Sequence, residues 1–253
     1  MRAITLIITC LFITALVLLT GCDKFMNTVT DTVNSIQKES SSLFGTLEQS
    51  DSTTSVDGVK LKFIGMSVLK EAYNSPEFTL DEGAAVIKLT GIEEKTADLR
   101  ISYKEYTPND VAISFADNSI KAKTKSGKPF LITGIEGKIA RNLNLNIKVG
   151  AGTITLTDMQ DNTKVMLETG AGNISVQDCQ MKSLTTKTGA GKISLHGCQI
   201  ISLNANTSAG GITLTDSQID KMDASVGAGN ITLTNSKVTK RNFETSVGRV
   251  IEQ

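Results

Sequence analysis

Cys179 and Cys198 are the two cysteines that lie far from the N-terminus, and their spacing makes a disulfide between them possible. They lie 19 residues apart, and the same interval separates copies of a glycine-led phrase in this half of the chain. Cysteines at equivalent positions of neighbouring β-repeats can form a disulfide, because adjacent strands bring their Cα atoms to about 4.8 Å. The alternative is a pair of small apolar residues stacked in a core. The column that they share with Met159, Ser217 and Ser236 favours this second interpretation.

His196 is the only histidine of the chain and the obvious candidate for acid–base or metal chemistry. It lies one repeat from Gln177 and from Thr215, in a row that the pattern predicts to point outwards, and this row supplies no acid or nucleophile. We therefore expect no hydrolytic triad, no metal site and no cofactor. A second polar row is interrupted by Gly and Asn and is interpreted as a set of turn formers rather than cation ligands. Its members are Asp158, Asp178, Gly197, Asp216 and Asn235.

A row of hydroxyl side chains is the main candidate binding site. Its members recur once per repeat between two apolar columns, and they are Thr155, Ser175, Ser194, Thr213 and Thr232. Threonines at 153, 157, 215 and 234 flank the row. This pattern predicts a flat, uncharged face that could bind a glycan, another protein or ordered water. The simpler alternative is that threonine suits β-strands and that serine is tolerated there.

The first 22 residues predict export from the cytoplasm. Arg2 precedes a mostly apolar run from Ile4 to Leu19, and Thr20-Gly21-Cys22 follows. A charged start, an apolar stretch and small residues before a cleavage point are typical of a signal peptide, here residues 1–21. The end of the run looks like a bacterial lipobox, which predicts a lipid, including palmitate, on Cys22. The alternative is an uncleaved membrane anchor, since the run nearly reaches the ~20 residues needed to span a bilayer.

The composition excludes several classes of partner. Removal of residues 1–21 takes away one basic residue and no acid, which leaves 25 basic residues against 26 acidic ones. Such a balance provides no net field to attract nucleic acid, so we expect no nucleic-acid partner. Aromatic residues make up 4% of the chain and tryptophan is absent. A tryptophan-lined sugar cleft is therefore not expected.

These candidate residues lie on an internal repeat. The phrase GAGxIxL restarts at Gly150, Gly170, Gly189, Ser208, Gly227 and Gly248, in steps of 20, 19, 19, 19 and 21 residues. A period in this range is typical of stacked supersecondary units. One apolar column contains Ile154, Ile174, Ile193, Ile212 and Ile231, and a second contains Leu156, Val176, Leu195, Leu214 and Leu233. A third is aligned as Val165, Leu184, Leu203, Met222 and Phe243.

The repeat predicts an all-β fold, a single-stranded parallel β-helix or β-solenoid with coils of about 19 residues. Coils that turn in one sense stack parallel strands, and the handedness of parallel crossovers favours a right-handed solenoid. Glycine at the phrase start and Asp, Asn or Gly after the short strand provide the corners. We assign residues 149–253 to the regular solenoid.

The preceding residues lack this period but alternate apolar and polar side chains. Six such segments predict half-buried strands, namely Val59–Ile64, Ala84–Leu89, Asp98–Tyr103, Val111–Phe115, Ser119–Lys123 and Leu143–Val149. We therefore assign residues 59–148 to an irregular β-rich N-terminal cap and the first coils. Residues 22–58 are assigned to a tether that is helical in part, because Phe25, Met26, Val29, Val33 and Ile36 recur at helical spacing.

The GAGxIxL phrases, preceded by Ile139-Ala-Arg-Asn-Leu-Asn-Leu-Asn-Ile-Lys-Val-Gly, resemble the bacterial putative-adhesin family of β-strand repeat domains. The resemblance covers about residues 78–250. It implies a parallel β-solenoid displayed at the cell envelope, and it supplies no catalytic residue.

Taken with the lipobox, the repeat predicts a cell-envelope lipoprotein that presents a non-catalytic β-solenoid for adhesion, protein or glycan binding, or envelope sensing. It would be held outside the cytoplasm on a bacterial membrane, either inner or outer. One alternative is a structural module that associates with itself through its end strands. A weaker alternative is an enzyme acting on envelope polysaccharide.

Overall fold

The computed structural model describes residues 54–73, 75–162 and 164–253. The strands are β1 (Thr54–Val56), β2 (Val59–Leu61), β3 (Phe63–Ala72), β4 (Glu77–Ala84), β5 (Val86–Ile92), β6 (Thr96–Glu105), β7 (Val111–Ala116), β8 (Ser119–Thr124), β9 (Phe130–Ala140), β10 (Asn144–Ala151), β11 (Ile154–Thr157), β12 (Gln160–Asn162), β13 (Val165–Ala171), β14 (Ile174–Gln177), β15 (Gln180–Ala190), β16 (Ile193–His196), β17 (Gln199–Ala209), β18 (Ile212–Thr215), β19 (Gln218–Ala228), β20 (Ile231–Thr234), β21 (Lys237–Val247) and β22 (Val250–Glu252). The all-β prediction is confirmed. Within the described ranges, no helix is long and apolar enough to cross a bilayer.

Each regular coil consists of one long and one short strand, and successive coils stack in parallel. The short strands form one sheet in the order β22-β20-β18-β16-β14-β11-β5, and the long strands form the other, β21-β19-β17-β15-β13-β10-β4. Ile174 pairs with Ile193, which in turn pairs with Ile212. The predicted β-solenoid with coils of about 19 residues is therefore confirmed, whereas its right-handed sense stays a prediction.

The side chains that point inwards form continuous columns. The Ile and Leu columns of the short strands are almost fully buried. On a long strand such as β15 the buried residues are Met181, Leu184, Thr186 and Thr188. Buried and outward side chains therefore alternate along the strand, except that two outward residues separate Met181 from Leu184. Burying one large aliphatic side chain contributes about 1.5–3 kcal/mol relative to exposure. The coils stabilise one another because each one covers the apolar faces of its neighbours.

The glycine that ends each GAG triplet is required by close backbone packing. Gly191 has φ +149°, and a Cβ at this position would lie 2.0 Å from the carbonyl oxygen of Gly172 in the neighbouring coil. No side chain fits in that space, and L-residues rarely adopt such a φ. The corner after the short strand is also left-handed, with φ 52° at Asp178 and 63° at Gly197. The interpretation of this row as turn formers agrees with these angles.

The sequence alignment of the last coil is wrong by two residues. Gly248 stacks on Gly229, not on Gly227, so the final step is 19 residues rather than 21. As a consequence Phe243 pairs with Ala224, and Arg241 occupies the position opposite Met222. The alignment failed because the last phrase retains a single glycine, which was matched to the first glycine of the GAG triplet. That residue, Gly248, occupies instead the third position, where close packing and a positive φ require glycine.

An irregular cap extends both sheets at the N-terminal end of the solenoid. β9 joins β5 in parallel, and β6 and β3 follow as antiparallel neighbours. On the other sheet, β8 pairs with β4 and β7 pairs with β8. β4 and β5 themselves form a coil, since they pair in parallel with β10 and β11. Four of the six predicted strand segments of residues 59–149 match a single observed strand. Val59–Ile64 is divided between β2 and β3, and Ala84–Leu89 crosses the corner between β4 and β5. The sequence did not single out the rest of β4 or β9.

The described residues begin inside the predicted tether. β1 pairs antiparallel with β2 across Asp57 and Gly58, which have φ of 51° and 80°. An Asp-Gly pair in this conformation is typical of a two-residue hairpin turn, so residues 54–58 belong to a hairpin rather than to the tether. The predicted signal peptide (residues 1–21), Cys22 and tether residues 22–53 lie outside the described residues.

Candidate functional site

The five predicted hydroxyl residues form one straight row on the outer surface of the short-strand sheet, here called the hydroxyl face. Each pairs with the next across neighbouring strands, in the order Thr155, Ser175, Ser194, Thr213 and Thr232. Because adjacent strands lie about 4.8 Å apart, the row presents a hydroxyl group at each such step. Each residue is half-buried between two fully buried neighbours.

The hydroxyl face is uncharged along its length, with a lysine at one end of the row and an aliphatic residue at the other. Lys88 precedes Thr155 in the row, and Ile251 follows Thr232. Ser175 Oγ accepts a hydrogen bond from Gln177 Nε2 at 3.2 Å. The arrangement offers donors and acceptors in a flat array, which can dock a polar partner through several weak hydrogen bonds.

His196 lies beside the hydroxyl face, and its nearest acid is in the next coil. Its Nδ1 is 3.7 Å from Asp216 Oδ2, and both side chains are about half exposed. A contact of this length between exposed groups contributes little to stability. In the part of the chain that the structure describes, no group of three or more His, Cys, Asp or Glu side chains could hold a metal ion.

Cys179 and Cys198 lie in the same buried column of neighbouring coils, and both are free thiols in the structure. The hydrogen bond shared with Cys198, together with burial, raises the pKa of the Cys179 thiol. A raised pKa disfavours the reactive thiolate. A disulfide between the two thiols, formed outside the cytoplasm, stays a prediction.

This column also has a hydrogen-bonding role that its residue types did not suggest. Met159 N–H donates to Cys179 Sγ at 3.4 Å, Cys198 N–H donates to Ser217 Oγ at 3.1 Å, and Ser217 N–H donates to Ser236 Oγ at 3.1 Å. Each of these side chains thus accepts a backbone N–H from the preceding coil. Sulfur and hydroxyl oxygen are interchangeable here because both are small acceptors.

A row of glutamines on a second surface was missed by the sequence analysis. Gln160, Gln180, Gln199 and Gln218 pair in succession, and Lys237 continues the row. Three of the glutamines, Gln180, Gln199 and Gln218, line a shallow groove with Lys182, Ile201 and Asp220. Each glutamine follows two residues after a left-handed corner residue, and this fixed offset is a signal that could have revealed the row.

The chain is similar to one protein family and to several solved structures. The family model described as Toastrack DUF4097 matches residues 89–250. A search of curated proteins returned no match. A solved structure described as a "putative adhesin" from Bacteroides fragilis is 13% identical, with 76% of this chain and 98% of that chain covered and a TM-score of 0.45. A "putative lipid binding protein" from Parabacteroides distasonis is 14% identical, with coverage of 75% and 96% and a TM-score of 0.41.

Proposed function

The chain belongs to the Toastrack DUF4097 family, and we propose that it is a cell-envelope lipoprotein whose non-catalytic β-solenoid binds a protein or a glycan. Such binding would serve adhesion or envelope sensing. The observation that carries the proposal is the hydroxyl face, because a repeated, uncharged array on a rigid sheet provides many equivalent polar contacts without requiring any chain movement.

The register of the short-strand sheet suits a partner that is itself repetitive. The short strands that carry the hydroxyl face stay in register over successive coils, so the hydroxyl groups remain aligned from Thr155 to Thr232. A partner with a regular spacing of polar groups could follow this row. Many weak contacts on one face give avidity when the partner is itself repetitive, as a polysaccharide is.

The test is to place cationic side chains in the row without disturbing the core. The double substitution Thr213→Lys with Thr232→Lys should abolish retention of the purified protein on intact bacterial envelopes, because two lysines would block and charge the array. The matched control is Thr185→Lys with Asn204→Lys, an outward pair in register on the long-strand sheet. Unchanged retention of the Thr213/Thr232 variant would reject this face, as would equal loss in the control.

Membrane attachment through Cys22 is the second part of the proposal. Cys22→Ala should leave the unprocessed chain without lipid, and labelling of cells with radioactive palmitate should then yield no labelled protein. Incorporation of label into the variant would contradict the assignment. A crosslinking pull-down from intact cells, with the anchor retained, would identify the partner and distinguish the inner from the outer membrane.

Self-association is a second candidate function, favoured by the exposed end strands. β21 and β22 each have one pairing neighbour, and Val247 and Val250 are 52% and 42% exposed. Unpaired backbone groups beside apolar side chains can pair with another copy of the chain. Arg241 and Glu252 form an ion pair at this end, which places charge at the edge and opposes pairing. Light scattering that rises with concentration would support assembly, and a strict monomer at high concentration would remove this candidate.

A further inference from the structure

An apolar stripe on β3 has no partner among the described residues. Ile64, Met66 and Val68 are 60%, 55% and 65% exposed and point to the outer face of the cap. The opposite face of β3 packs inwards, where Leu69 is buried and Gly65 lies under the Tyr103 ring. β3 is the last strand of its sheet, and β6 is its pairing neighbour. Three adjacent exposed aliphatic side chains on one strand are typical of a docking site.

Cationic groups lie around this stripe. Ile64 pairs with Lys104, Met66 with Ser102 and Val68 with Arg100 on the neighbouring β6. Lys70 continues the outward row of β3. Two acids lie among these cations: Asp98 is the cross-strand partner of Lys70, and Glu136 contacts Arg100 at 3.2 Å. Lys88 and Lys138 on the same surface keep the excess of charge positive. The face therefore combines an apolar centre with a cationic border and fits an apolar partner of negative charge.

The chain enters the described structure at this same face. Lys104 Nζ donates a 2.7 Å hydrogen bond to the hydroxyl oxygen of Thr54, the first described residue. Lys104 is the cross-strand partner of Ile64, at one end of the stripe. Residues that precede Thr54 therefore begin next to the stripe, and little chain is needed to return across it.

The preceding segment has the complementary properties. Phe25, Met26, Val29, Val33 and Ile36 recur at the spacing of one helix face. A helix over residues 25–36 would present this face along about 16 Å, and the stripe from Ile64 to Val68 extends for about 13 Å. Residues 22–53 contain five carboxylate side chains and two lysines, so their net charge is opposite to that of the stripe border.

We propose that residues 25–36 form a helix that packs its apolar face on the Ile64/Met66/Val68 stripe of the same chain. The helix covers the exposed edge of β3 and fixes the cap relative to the N-terminal segment. The solenoid then projects from that segment in a defined direction instead of moving freely at the end of a linker. The interaction does not depend on the ligand of the hydroxyl face.

A photo-crosslinking amino acid in place of Met66 tests this packing in membranes from cells that produce the whole chain. Irradiation should join position 66 to a peptide from residues 25–36, and mass spectrometry should identify it. Cells that produce a mixture of isotopically light and heavy chains distinguish a bond within one chain from a bond between two. A probe at Thr185, on the far sheet, should yield no such product.

A charge substitution in the helix face provides the second measurement. Val29→Glu with Val33→Glu should lower the crosslink yield by about tenfold, because carboxylates would have to be buried against aliphatic side chains. The matched control, Asn27→Glu with Asn34→Glu, adds the same charge on the opposite face and should keep the yield. The melting temperature of the β-structure should be equal in both variants. Crosslinks to a second copy, to lipid or to no partner would overturn the proposal, as would an unchanged yield in the Val29/Val33 variant.

Discussion

The regular coils and the N-terminal cap achieve stability in different ways. In the coils each contact recurs: a backbone N–H meets a side-chain acceptor of the next coil at Cys198, and again at Ser217. In the cap a contact occurs once. Buried Glu105 accepts hydrogen bonds from the backbone N–H groups of Asn109, Asp110 and Val111, at 2.7–3.1 Å. The coils therefore repeat the same contacts many times, whereas the cap depends on contacts that each occur once.

The two regions also have different cores. Aliphatic columns fill the coils, while Tyr73, Phe78 and Phe115 form an aromatic cluster between the first coil and the cap, with ring centroids 5.7–6.2 Å apart. Large rings close the irregular space where the parallel stack ends. The cap thus protects the first coil from water and from edge-to-edge pairing.

The largest loss of stability is expected when a single methyl group is added between two coils. Gly191→Ala places a Cβ against the carbonyl of Gly172 at a φ that alanine rarely adopts, so the stack must open. We expect a loss of more than about 4 kcal/mol in the free energy of unfolding, measured with urea. Gly83→Ala is the control, because its Cβ would meet nothing within 4 Å. A loss below about 1 kcal/mol for Gly191→Ala would contradict the close packing of coils.

A cavity where the first coil meets the cap should have the next largest effect on stability. Phe78 is fully buried, and Phe78→Ala should cost about 3–5 kcal/mol. Because the cap contacts are not repeated, hydrogen exchange should increase in β7 and β8 while β17 and β19 stay protected. Uniform loss of protection along the whole chain would show instead that cap and coils unfold as one unit.

A partly buried acid in the first coil, Glu82, should make stability depend on pH. Burial, and then the charge of Asp81, raises the pKa of Glu82 from its usual 4.5 to about 7. Between pH 4.5 and about 7, the Glu82 carboxyl keeps a proton in the folded state that it loses in the unfolded state. Its contribution to the free energy of unfolding is therefore complete below pH 4.5 and declines as the pH rises to about 7. The decline is at most about 3 kcal/mol. Val149 and Thr169 continue the column of Glu82.

Glu82→Val should remove this pH dependence and stabilise the protein near neutral pH. Urea unfolding between pH 4.5 and 7.5 provides the measurement. Glu77→Gln, at an exposed position of the same strand, should keep the slope. An unchanged slope in Glu82→Val would show that another group is responsible.

The smallest effect is expected at the cysteine column. Cys198→Ser should change the free energy of unfolding by less than about 1 kcal/mol, since Ser217 and Ser236 already occupy equivalent positions.

The mass of the chain decides whether Cys179 and Cys198 form a disulfide. A chain isolated from the envelope and lighter by two hydrogens without reductant would contain the bridge, whereas two titratable thiols would exclude it.

Much of the coil structure was predictable because its contacts follow a fixed sequence separation. The Ile column, the left-handed corners and the outward position of Thr213 all follow from aligning the repeats, and the strand pairing agrees with them. The alignment failed in the last coil, where one glycine remains and Phe243 was assigned to the wrong column. The glutamine row was equally regular, but exposed amides carry no burial signal and were overlooked.

The sequence by itself determined the period, the parallel stacking and the residues that face the core, because neighbouring coils contact each other at a nearly constant separation along the chain. The tertiary structure alone decided that β9 lies between β5 and β6, and that Phe78 pairs with Leu145 far along the chain. It also decided that Ile64, Met66 and Val68 share an exposed face. These features depend on contacts between distant segments, and no local period specifies which distant strands will meet.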